Sequence, residues 1–84
     1  MKYYVYLLYS EKCDRYYIGY SADPGLRLQS RHNMGYVKAT KNCRPYILMK
    51  TKPFDTESDA MAEERRLKRM KSRKYLEQLI EGNW

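Results

Sequence analysis

The sequence predicts a small α/β protein of the α+β kind, a three-stranded antiparallel sheet flanked by helices in the order β-β-α-β-α-α. Three observations predict it. Two tyrosine-rich, β-prone segments, residues 2–9 and 16–20, are separated only by the polar stretch Glu11-Lys12-Cys13-Asp14-Arg15, the pattern of a β-hairpin. Helix-start signals follow at Asp23-Pro24, Thr56-Glu57-Ser58-Asp59 and Ser72. Finally, 84 residues suffice for one modest core and not for two, so residues 1–84 are expected to form a single domain.

Taken in order, strands one and two should pair antiparallel, and side chains alternate between the faces of each. Tyr4, Tyr6 and Leu8 therefore share one face, and Tyr3, Val5 and Leu7 the other. A four-residue loop at 10–13 or 11–14 makes opposed residue numbers sum to an odd value, which puts Tyr6, Tyr17 and Gly19 on one face. A one-residue slip would separate them. Gly19 would leave the space above it open to a backbone or a ligand. In Ser21-Ala22-Asp23-Pro24, Asp23 can cap free amides while Pro24 takes the first helical position, and Arg27 falls in the first turns. This helix should stop near Asn33-Met34-Gly35. Residues 36–44 read as a basic surface loop, with Lys38, Lys41 and Arg44 placed to track a phosphate backbone. Pro45 opens the third strand at an edge or strand end, and Pro53 should close it. Helix two carries Ala60, Met61, Leu67 and Met70 on one face, with Glu63 and Glu64 about equally far to either side of its centre. Helix three, capped by Ser72, presents Tyr75, Leu76, Leu79 and Ile80 and closes at Gly82.

Composition narrows the function. Lys and Arg outnumber Asp and Glu by 17 to 10, a formal charge of +7, which suits a polyanionic partner. Ten of the twelve aromatic residues are tyrosines, so core rings must reach the rim with hydroxyl groups, some of them available for chemistry. The apolar run at Tyr4–Leu8 falls far short of the roughly 20 residues that span a bilayer. No membrane segment and no secretory leader are expected, and the location is expected to be cytoplasmic. Cys13 and Cys43 are isolated, with no metal-binding spacing, and are expected to be two reduced thiols. Glu64 has two readings: a surface pair with Lys68 four residues on, or a single carboxylate for a hard divalent cation.

The spacing Tyr4-Val5-Tyr6, Tyr17-Ile18-Gly19, Arg27 and Glu64 in Glu64-Arg65-Arg66-Leu67-Lys68 resembles the GIY-YIG endonucleases, in particular their small stand-alone bacterial members. The order of elements resembles that fold over nearly the whole chain. The resemblance implies phosphodiester hydrolysis of DNA, in preference to RNA, in repair or processing, with one Mg²⁺ (or Mn²⁺) ion held by Glu64. It implies that Tyr6, Tyr17, Arg27 and Glu64 converge on the scissile phosphate. Either Tyr6 or Tyr17 would assist deprotonation of the attacking water, and Arg27 would donate paired hydrogen bonds to the phosphate. Gly19, Tyr20, Arg31, His32, Lys38 and Lys41 are candidates for contacting nucleic acid. Two departures stand out: Tyr4 occupies the place of the family's first glycine, and Arg31 the place of a histidine frequent four residues after the motif arginine, with His32 one later. Weak intrinsic specificity, or a targeting protein partner, is expected. The competing classes are a non-catalytic nucleic-acid-binding module, indifferent to loss of Glu64, and a protein-interaction domain that needs no convergence of the four side chains.

Overall fold

The computed structural model describes residues 2–28, 33 and 41–84. β1 (Tyr3–Ser10) and β2 (Arg15–Ser21) form an antiparallel hairpin closed by residues 11–14, with Tyr6 opposite Gly19 and Leu8 opposite Tyr17. Opposed numbers sum to an odd value throughout, the register that the shorter polar stretch favours. β3 (Ile47–Phe54) pairs antiparallel with the other edge of β1, giving the order β2-β1-β3. Between Leu7 and Leu8 the pairing shifts, because Lys50 opposes Leu7 while Leu48 opposes Leu8 and Met49 is left over as a bulge. Pro53 does not end β3, as its sequence position suggests; it sits inside the strand opposite Tyr4. An edge strand tolerates proline when the missing donor faces away from the ladder.

As the central strand, β1 is covered on both faces: Val5, Tyr6, Leu7 and Leu8 are all essentially inaccessible. Val5 and Leu7 meet Ile18, Ala60, Leu67, Leu76 and Leu79 in one apolar cluster under the helices. Tyr6 and Leu8 meet Cys43 and Tyr46 in a second cluster on the opposite face, joined by Tyr17, Leu28 and Leu48. Each leucine so buried contributes about 1.5–3 kcal/mol of transfer free energy.

The helices begin where their caps lie. Asp23 accepts from the Leu26 amide at 3.1 Å, and Pro24 opens α1 (Pro24–Arg27). The expected end of this helix, at 33–35, falls largely outside the described residues. Thr56 accepts from the Asp59 amide at 3.2 Å and starts α2 (Glu57–Met70), which stops at Lys71 in the left-handed conformation, φ 50°. Ser72 caps α3 (Arg73–Gln78), which runs on as a wider turn to residue 83 through Gly82 at φ 118°. Ala60 and Leu67 anchor α2 as its periodicity predicts, but Met70 is 45% exposed. It lies in the last helical turn, where the chain leaves the sheet, and its sulfur sits beside the Arg66 guanidinium instead.

Part of the expected basic loop, Lys41–Cys43, is a short 3-10 turn. Here the cysteine expectation is overturned: Cys13 and Cys43 are joined in a disulfide, their Cα atoms 5.5 Å apart. The hairpin turn and the 3-10 turn are brought together by Ser10, whose hydroxyl accepts from the Cys13 amide and donates to the Cys43 carbonyl. A pairing between residues 30 apart, made by tertiary packing, leaves no local spacing to read.

Candidate active site

The site starts from the hairpin register. Tyr6 lies across from Gly19, and its buried ring extends over the glycine: a Cβ at Gly19 would lie 2.5 Å from Tyr6 Cζ and closer still to the hydroxyl. The space above Gly19 is thus filled by the Tyr6 phenol and is not open to a ligand, contrary to the sequence reading. Glycine is required here because any side chain would displace the ring. Tyr17, two residues before Gly19 on the same face, stands partly buried on the outer strand of the sheet.

Two other elements reach Tyr17. From α1 comes Arg27, whose Nε is buried with no hydrogen-bond partner among the described residues. From α2 comes Glu64, with its side chain only 17% exposed. Both act on the Tyr17 hydroxyl. Burial pushes its pKa above the usual tyrosine value of 10.0, the Glu64 carboxylate raises it further, and the Arg27 guanidinium opposes them. Glu64 Oε1 stands 3.8 Å from Lys68 Nζ, too far for a short hydrogen-bonded pair. Glu63, equivalent by periodicity, is fully engaged: Arg66 donates to both of its oxygens at 2.7 and 2.8 Å, and Trp84 Nε1 donates at 2.9 Å. Its carboxyl is held below the usual range, chiefly by Arg66. The fold thus separates two adjacent glutamates, one tied to Arg66 and Trp84 and one whose charge is felt by Tyr17.

Against this geometry, a family model described as the GIY-YIG catalytic domain matches residues 2–76. The chain belongs to the GIY-YIG family. Its fold is also similar to the solution NMR structure of the UPF0213 protein BH0048 from Bacillus halodurans, at 30% sequence identity and a TM-score of 0.59, over 99% of this chain and 86% of that one. None of the curated proteins compared matches it. GIY-YIG proteins are generally nucleases that act on nucleic acid and use a divalent metal. In this GIY-YIG chain the two motif segments are the adjacent strands of the hairpin, which is why residues 11 apart in sequence share one face.

Not every candidate joins the GIY-YIG site. Tyr20 alternates to the opposite face, across from Val5, and packs on the helix-side cluster, so it lies away from Tyr6 and Tyr17. Arg31, His32 and Lys38 lie outside the described residues, as does the side chain of Lys41. Two residues were missed as participants. Lys68, read only as a possible surface partner of Glu64, places its ammonium 5.6 Å from the centre of the Tyr17 ring. Tyr46, read only as strand, is 3% exposed and belongs to the same cluster as Tyr6 and Tyr17. Burial raises its phenol pKa, Arg15 draws it down, and Tyr17 lies near enough to add to the rise. Asn33 fixes the Tyr46 backbone by accepting from its amide at 2.6 Å and donating to its carbonyl at 3.1 Å. An isolated Asn gives no sign in sequence that it will serve a strand 13 residues away.

Proposed function

We propose that this protein is a divalent-metal-dependent endonuclease that hydrolyses phosphodiester bonds of DNA, with Tyr6, Tyr17, Arg27 and Glu64 as its working side chains. What supports the reading is that Arg27 and Glu64, from helices before and after β3, both influence the acidity of Tyr17. Arg27, whose buried Nε has no acceptor among the described residues, is suited to donate to a phosphate oxygen and to strengthen that bond as charge develops in the transition state. Tyr17 donates or accepts a proton at its hydroxyl beside the attacking water. Tyr6, held rigidly over Gly19, orients that water or the phosphate from the neighbouring strand.

The donor set fits one hard cation. Among the described residues no group of three His, Cys, Asp or Glu side chains gathers, so a single carboxylate, water and the phosphate itself would make up the shell, as Mg²⁺ or Mn²⁺ accepts. Glu64 is the side chain that would hold it, and such an ion would supply positive charge against the departing oxygen. Lys68 offers a second positive charge close by.

The test is cleavage of supercoiled plasmid by the pure protein in Mg²⁺ and in EDTA, comparing the wild type with Arg27→Ala and Glu64→Gln. Losses of about 10²- to 10³-fold are expected for each substitution. Cleavage surviving both would overturn the assignment.

A further inference from the structure

On the open side of β2, away from β1, a cavity of about 340 Å³ lies between the strand and the α2–α3 junction. Its floor is apolar, made by Ile18, Leu67 and Leu76, and its rim carries Lys68, Lys71 and Arg73, of which Arg73 is paired with Asp14 and Glu77 and Lys68 lies beside Glu64. Tyr16 and Tyr17 form the strand wall, each ring facing a rim cation: Arg73 lies 5.3 Å from the Tyr16 ring centre and Lys68 lies 5.6 Å from that of Tyr17. No carboxylate is among the described residues that line it. Such a slot takes a flat, uncharged heteroaromatic ring attached to an anion. Its size sits at the low end of the roughly 300–1,000 Å³ of small-molecule sites, room for one base and not for a base pair in a helix.

Tyr17 and Lys68 belong to both places. Tyr17 lines the cavity, and its acidity responds to Arg27 and Glu64; Lys68 lines the cavity while its ammonium stands 3.8 Å from Glu64. Cavity and phosphate site are therefore separated by one side chain, about the reach from a phosphate to the base of its own nucleotide. We propose that this cavity receives one unpaired nucleobase of the strand being cut, so that the enzyme selects unpaired or extruded nucleotides beside the scissile phosphate. The proposal rests on the phosphodiesterase reading above, and it adds a base-binding site to it. Contact with the apolar floor and with the Tyr17 ring supplies affinity without sequence preference, because every base has a π-face, and Lys71 meets the adjoining phosphate.

The experiment is NMR titration of the ¹³C-methyl-labelled protein with millimolar thymidine 5′-monophosphate, deoxyribose 5-phosphate and inorganic phosphate. The nucleotide should shift the Ile18, Leu67 and Leu76 methyl signals saturably, and the two base-free phosphates should not. Equal shifts from all three, or none at these methyls, overturn the base site. A second arm measures anisotropy of a labelled duplex carrying one extruded nucleotide against the same duplex with an abasic residue in its place. Loss of the base should cost about tenfold in affinity, the size expected for losing one stacked base. Equal affinity for the two duplexes also overturns the proposal. Plasmid cleavage without the methyl shifts would leave hydrolysis standing and remove the base site; methyl shifts in a protein that does not cleave would support the site and remove the hydrolysis.

Discussion

Replacing Gly19 by alanine tests the hairpin geometry and the site at once. The new methyl would start 2.5 Å from Tyr6 Cζ and nearer to the hydroxyl, so atoms must move. Tyr6 is 1% exposed and packed among Leu8, Cys43 and Tyr46, and its ring cannot swing away without disturbing that cluster. Overpacking of this kind costs about 1–3 kcal/mol. With an m-value of about 1 kcal/mol/M in urea for so small a protein, a loss of 2 kcal/mol lowers the midpoint by about 2 M. If the protein cleaves as proposed, its activity should fall more than its stability does, because the ring displaced is the one proposed to position a hydroxyl at the phosphate. Tyr6→Phe in the alanine background removes the closest colliding atom but leaves Cζ in the way, so the double variant should recover part of the lost stability and not all of it. The cycle reads this as a favourable coupling between the two substitutions. A Gly19→Ala protein within about 0.5 kcal/mol of wild type, or strictly additive substitutions, would show that the phenol does not lie over the glycine.

The remaining expectations are briefer. Tyr17 should titrate above 10.0 by phenolate absorbance, read as the difference between wild type and Tyr17→Phe, with Glu64→Gln lowering the value and Arg27→Ala raising it. Because its folded pKa exceeds the unfolded one, the linked stability is fully present below pH 10 and is lost as pH rises through the folded value; stability rising with pH in that window would refute the sign. Thiol alkylation of the unreduced, denatured protein should label neither cysteine, and Cys13→Ser with Cys43→Ser should lose about 3–4 kcal/mol, the chain-entropy value for a loop spanning 30 residues. Leu67→Ala should cost about 2–5 kcal/mol in denaturant unfolding, whereas Met70→Ala should fall within about 0.5 kcal/mol of wild type, since one is buried and the other 45% exposed.

What could be read from the sequence was what is encoded locally. Asp23-Pro24, Thr56 and Ser72 each cap the helix that follows, because a side chain and an amide three residues on need nothing else in the protein. Hairpin parity was legible for the same reason, a short polar turn fixing which residues oppose. The failures all involve tertiary partners. Pro53 survives in β3 only because that strand is an edge, and a sequence does not say which strand ends at the side of the sheet. Glu63 and Glu64 were indistinguishable by periodicity and were separated by Arg66 and the distant Trp84. The disulfide, the Asn33 bridge to Tyr46 and the burial of the Tyr46 ring likewise depend on segments far apart in the chain.

The electrostatics at Tyr17 bear on which tyrosine can act as a base. A phenol assists deprotonation of water only when its anion is accessible near neutral pH, yet burial and Glu64 both oppose that anion, while Arg27 favours it. The unliganded site therefore keeps Tyr17 protonated, a donor. A cation held at Glu64 would reverse the second of these influences, since the carboxylate's charge would be offset where Tyr17 senses it. Phosphate binding at Arg27 would act the other way, cancelling the one influence that favours the phenolate. In the proposed reaction, a base role for Tyr17 would thus depend on the charge of an ion at Glu64 outweighing that of the phosphate at Arg27.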